Sequence, residues 1–143
     1  EEMAEELSGK LFAVTPTRTE LSREGKPDIT AISLEVNICP FPLKAAPRVP
    51  DMTVAANTTN IVSSASYLTL RLKESDVVTL GGIGALAVNN AVKATIIAQE
   101  YLANDTKKGK RVKLALVPVL HEFEGNNGTA VTRMLLTCIR APQ

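Results

Sequence analysis

Leu80–Ala94 reads LGGIGALAVNNAVKA, and the fold is decided by how this stretch is divided. The β-branched run Asp76–Leu80 leads into it as a strand, Gly81–Gly84 is a turn, and Ala85–Ala103 contains no glycine or proline and reads as one long helix. Ala87, Ala91, Ala94 and Ala98 recur at helical spacing and make a smooth ridge that lets another backbone approach closely. Val88, Val92, Thr95 and Leu102 widen that surface, while Asn89, Lys93 and Glu100 keep to a narrow polar arc. A helix this apolar needs cover on most sides. The expected cover is in part a second subunit, which makes the protein a homodimer; the competing source of cover is the segment formed by residues 1–50.

The same turn carries Gly82-Ile-Gly84-Ala-Leu-Ala87, a G-x-G-x-x-A pattern between a strand and a helix, where helix N–H groups can meet a pyrophosphate. A dinucleotide site also needs an acid closing the next strand, about 20 residues on, to hold the ribose. Glu100 falls inside the helix and Asp105 in the loop after it, so the glycines read as a tight turn and no cofactor is expected.

Outward from this core, the pattern is β-α-β-α-β-β. Met52–Ala56 is a short strand, and Thr58, Thr59 and Asn60 are helix-start residues before an amphipathic helix over Thr59–Lys73. Asn104–Lys110 is a charged loop. Val112–Val119 is a strand closed by Pro118, EGNNG at Glu124–Gly128 a hairpin turn, and Thr129–Arg140 the last strand. Towards the amino terminus, Leu11–Thr17 is a short extended piece stopped by Pro16, and Ser22–Asp28 a turn around Gly25 and Pro27. Ile32, Leu34, Val36 and Ile38 alternate with Ser33, Glu35 and Asn37 as in a half-buried strand. These two pieces form a strand or hairpin expected to extend the sheet at its edge. Pro40, Pro42, Pro47 and Pro50 then make an extended connector, which divides an extension over residues 1–50 from a domain over residues 51–143.

The bulk numbers narrow the function. The 143 residues are 45% apolar and 22% charged, an ordinary globular balance, with only 3% aromatic residues, so no sheet rich in stacking rings is expected. Residues 1–50 hold 6 basic and 8 acidic side chains and the remainder 10 and 7, so the net charge of +1 hides a basic second part. Cys39 and Cys138 lack a CxxC spacing and read as reduced buried thiols, a disulfide between neighbouring strands being the alternative. No apolar run is long enough for a membrane span and no signal peptide is visible. A cytoplasmic protein is therefore expected, or a nucleoid or nuclear one if it binds DNA; the sequons at Asn57, Asn104 and Asn127 read as chance.

IGALAVNNAVKATIIAQEYLA at Ile83–Ala103 resembles the stage V sporulation protein S family in its Ile-Gly-Ala turn, Asn89, the Ala91–Ala94 run and the Ile-Ala pair before Tyr101. Thr53–Ala56, Leu114–Pro118 and Gly128–Ala130 extend the likeness over residues ~52–141. The resemblance implies an α/β, Alba-like β-α-β-α-β-β two-layer domain, dimeric and binding DNA or RNA without catalysis. Where Alba proteins carry lysines after the first strand, this chain has Asn57-Thr-Thr-Asn60.

Phosphate contacts then fall to lysine and arginine. Lys107, Lys108, Lys110 and Arg111, with Lys113 beside them, are the densest basic cluster; Lys93 on the polar arc and Arg133 near the hairpin are further candidates. Asn89 and Asn90 can bond phosphate or ribose, or brace the glycine turn. His121, with Glu122 and Glu124 near it, is too small a set for a zinc site, and no serine sits in a nucleophile elbow, so neither a metal nor an enzyme is expected. The competing function is a structural or regulatory protein-interaction module working through its dimer surface.

Overall fold

The computed structural model describes residues 12–38, 50–57, 60–105 and 112–140. Among these residues six strands and two helices follow in the order β1 (Phe12–Arg23), β2 (Lys26–Ile38), β3 (Met52–Thr53), α1 (Ile61–Glu74), β4 (Val77–Gly82), α2 (Ala85–Asp105), β5 (Leu114–Glu124) and β6 (Ala130–Arg140). They form one mixed sheet ordered β2-β1-β5-β6-β4-β3, in which β3 and β4 are parallel and every other pair antiparallel. The α/β class and the order of elements after residue 50 are those expected from the sequence.

The core follows from strand alternation. Val78 and Leu80 of β4, Leu114 and Leu116 of β5, and Leu136 and Cys138 of β6 share one face and pack with Leu68 and Leu72 of α1 and Ala91, Ala98 and Leu102 of α2. Both helices therefore cover the same side of the sheet. On the reverse side, Ala13, Ala115, Val117 and Ile139 make a second, smaller cluster. Asn60, the last of the three expected start residues, caps α1 by accepting the Ser63 N–H on Oδ1 at 3.0 Å, so the helix starts at Ile61 and not at Thr59.

Asp51, just before β3, ties that end of the sheet to β4 and α1. Asp51 Oδ2 accepts the Thr79 N–H at 2.8 Å, Asp51 donates its own N–H to the Thr79 carbonyl at 2.9 Å, and its Oδ1 lies 3.4 Å from Arg71. Pro50 sits so close to β4 that a Cβ at Gly81 would stand 2.8 Å from its Cγ, which is why that strand needs glycine there. Gly81 and Gly82 thus belong to β4 and the turn is shorter than expected, with Gly84 at φ +87° as its pivot.

The β1–β2 hairpin departs most from expectation. β1 runs through Pro16 to Arg23, and the turn shrinks to Glu24–Gly25, with Gly25 at φ +69°. β1 meets β5 at one ladder pair, Val14 opposite Leu116, while it pairs with β2 along nearly its whole length. The reason is Pro16. It falls at the next hydrogen-bonding position towards β5, opposite Leu114, and has no N–H to give. Gln99 of α2 fills the gap: its Nε2 donates to the Pro16 carbonyl at 2.7 Å and its Oε1 accepts the Leu114 N–H at 2.8 Å. Beyond that point the hairpin leaves the ladder, and every residue from Glu20 to Thr30 is exposed. Ile32, Leu34, Val36 and Ile38 share one face of β2 as the alternation predicts, yet all four are exposed, because β2 is an edge strand on a hairpin that has parted from the sheet.

Candidate functional site

The β5–β6 hairpin places three side chains together that lie 12 positions apart at their extremes. Its turn is fixed by the Gly125 N–H donating to Thr129 O at 2.9 Å and the Gly128 N–H donating to Gly125 O at 3.0 Å, with Gly128 in the left-handed region. The resulting register sets His121 opposite Arg133 and Phe123 opposite Val131. By alternation these residues point to the face away from the helices, since Leu136 and Cys138 occupy the other.

Arg133 Nε donates to His121 Nδ1 at 3.2 Å, and its guanidinium carbon stands 4.4 Å from the centre of the Phe123 ring. The His121 and Phe123 rings are nearly parallel, 8° apart in plane and 6.1 Å between centres. With Nδ1 accepting, the imidazole proton sits on Nε2. A planar cation laid on an aromatic face is pre-organised, so less side-chain freedom is lost when it meets a phosphate or a base. Arg133 was legible as a basic residue near the hairpin. Phe123 was not singled out, although its spacing of two from His121 on a strand was the available signal.

The acids near His121 do not join it. Glu122 and Glu124 alternate onto the opposite face, opposite Thr132 and Ala130. Among the described residues no three of His, Cys, Asp and Glu are grouped closely enough to hold a metal ion.

The other candidates lie elsewhere. Asn89 and Lys93 are exposed, one turn apart on α2, on the helix side of the sheet. Asn90 braces the segment after β3, donating from Nδ2 to the carbonyls of Ala55 at 3.1 Å and Ala56 at 3.2 Å, and not the glycine turn. Lys113 pairs with Glu35 of β2 at 3.8 Å. Lys107, Lys108, Lys110 and Arg111 lie outside the described residues, as does Cys39. Arg133 alternates away from the helix side, yet it and Asn89 both line one cavity, and Lys93 lines the next.

The alanine ridge reads differently in three dimensions. Ala87, Ala91, Ala94 and Ala98 are all buried within the chain, and Ala91 and Ala98 pack with Leu68 and Leu72 of α1. The ridge is where α1 approaches α2, so it does not itself call for a second subunit. Cys138 is likewise internal: an unpaired thiol, pushed by burial from 9.0 up to about 12, against a smaller lowering by Arg140. No described helix is long and apolar enough to cross a membrane.

No curated protein matches the chain. The family model described as stage V sporulation protein S matches residues 51–139, which takes in Asp51, both helices, the glycine turn and the β5–β6 hairpin with Arg133 and Phe123, and leaves out β1 and β2. The chain belongs to the stage V sporulation protein S family.

Proposed function

We propose that the protein is a non-enzymatic nucleic-acid-binding protein of the Alba-like kind, contacting the phosphate backbone and reading its shape in preference to base sequence. The observation that carries this reading is the Arg133 guanidinium held on the His121–Phe123 ring pair, on the face of the sheet opposite the two described helices. A cation in that setting serves both phosphate and an unpaired base. The β-α-β-α-β-β order after residue 50, with both helices on one side, agrees with an Alba-like arrangement. The basic run Lys107, Lys108, Lys110 and Arg111 supplies the densest charge available for phosphate.

A homodimer belongs to the same reading, since two copies double the basic contacts along one backbone and raise avidity without new chemistry. Light scattering on the full chain decides it.

The test is a mobility-shift titration of duplex DNA and single-stranded RNA with the protein, a Lys107→Glu/Lys108→Glu/Lys110→Glu variant and Arg133→Ala. The reading expects both variants to weaken binding, the triple charge reversal most. Unchanged binding by the triple variant would remove the basic run from the site.

A second reading, a protein-interaction module, is favoured by Val62 and Leu70 on the outer side of α1 and Leu86 at the start of α2, all exposed. It predicts no nucleic-acid shift and a loss of self-association on Leu70→Asp.

A further inference from the structure

The β1–β2 hairpin, having left the ladder after Val14, encloses a trough against α2 that the family match does not account for, because both strands precede residue 51. Two cavities compose it and meet at Ile32, which lines both. The larger, about 580 Å³, is walled by Leu34, Val88, Val92, Leu120 and Met134. The smaller, about 360 Å³, is lined by Ile61 and Ile97 together with Arg18 and Lys93. Both volumes are of the size that takes a small molecule, roughly 300–1,000 Å³.

The charge along this trough is one-sided. Among the described residues no acidic side chain lines either cavity; the smaller holds two cations and the larger has Arg133 in its wall. Lys93 has no hydrogen-bond or ion-pair partner among the described residues. Arg18 stands 3.7 Å from Glu100 outside the smaller cavity, with both side chains about half exposed, so that pair is weak and leaves the guanidinium available. The apolar part lies open to water: Leu34 is 57% exposed and Leu120 70%. Arg133 is held by His121 and Phe123, whereas Lys93 and Arg18 close the other end of the apolar run, which matches a molecule with a flexible apolar chain and one terminal anion. Nucleic acid fits it poorly, since among the described residues no aromatic ring lines either cavity to stack a base.

We propose that this trough binds an anionic amphiphile, an alkyl carboxylate whose chain lies along Ile32, Leu34, Val92 and Leu120 and whose carboxylate sits between Lys93 and Arg18. Each methylene gains by leaving water, and the head gains a charge-assisted pair where the chain enters. Arg133 lines the larger cavity as well as meeting His121 and Phe123, so the ligand's apolar end lies beside the residue proposed to contact nucleic acid.

The test is isothermal titration of the full chain with decanoate below its micellar concentration, beside acetate, decan-1-ol and octanoate, with thermal melts in parallel. Saturable binding at one site is expected, with a raised melting temperature. Octanoate should bind more weakly and acetate not at all, while decan-1-ol should lose about tenfold for want of the anion. Lys93→Gln should weaken decanoate by about tenfold with the unliganded melt unchanged. Leu120→Asp, at a position exposed enough to spare folding, should abolish it. Equal affinity for decanoate and decan-1-ol, indifference to both substitutions, or no saturable binding would each overturn the proposal. Failure of decanoate to bind, together with dissociation of a dimer on Leu120→Asp, would instead assign the trough to a second copy of the chain and overturn it equally.

Discussion

The side-chain amide of Gln99 stands in for a missing ladder bond of Pro16, donating to its carbonyl at 2.7 Å while accepting the Leu114 N–H from the facing strand at 2.8 Å. One carboxamide thus joins β1, β5 and α2. Replacing it by leucine strands two buried backbone groups at once. Gln99→Leu should lower stability by about 2–4 kcal/mol in urea melts. Native-state hydrogen exchange should show the β1–β2 amides opening ahead of those of β5 and β6, because one ladder pair is all that then ties the hairpin to the sheet. Uniform loss of protection would argue against the hairpin being a separate unit.

The two glycines of the β4–α2 connection should respond to different second changes. Gly84→Ala meets no neighbouring atom but must hold φ +87°, at a cost of about 1–2 kcal/mol that no neighbouring substitution relieves. Gly81→Ala runs its Cβ into Pro50, so Pro50→Ala should recover part of its loss. A double-mutant cycle of thermal melts separates the two cases.

Much of this architecture was legible along the chain. The helical spacing of Ala87, Ala91, Ala94 and Ala98, and the turn chemistry of Gly84 and Gly128, are local signals, and the elements stand where those signals put them. What escaped depends on partners distant in sequence. Pro16 looked like a strand stop because its carbonyl's partner lies 83 residues away, on a helix where Gln99 reads as one more polar residue. Ile32–Ile38 looked half-buried because alternation tells which residues share a face and not whether anything covers it. The alanine ridge marked close packing correctly, while periodicity could not say that α1, and not a second copy, supplies the opposing surface. Phe123 and Arg133 meet only through a hairpin register that a few turn hydrogen bonds fix.

Cys138 gives a pH dependence with a definite sign. Below pH 9 both folded and unfolded chains keep the thiol proton and the group is neutral to stability. Between 9.0 and about 12 the unfolded thiol ionises while the buried one does not, so stability falls as pH rises, by about 1.4 kcal/mol per unit from this group. Cys138→Ala should flatten that part of the profile relative to the native chain. The native thiol should also resist alkylation at neutral pH until the protein unfolds.

Asn60 is the only side chain holding the first turn of α1 by a hydrogen bond among the described residues. Asn60→Ala should cost about 1 kcal/mol, and Asn60→Asp should restore most of it through an equivalent acceptor. Circular dichroism melts of the two variants check the pair.

Nucleic-acid binding through charge has a direct signature in its dependence on salt. Fluorescence anisotropy of labelled duplex DNA and single-stranded RNA with the full chain, across a salt series from ~50 to ~200 mM, tests it most directly. Binding is expected at the low end, with a linear fall of log affinity with log salt and a slope reduced by about one in Arg133→Ala. No binding at ~50 mM, or binding indifferent to salt, would contradict it.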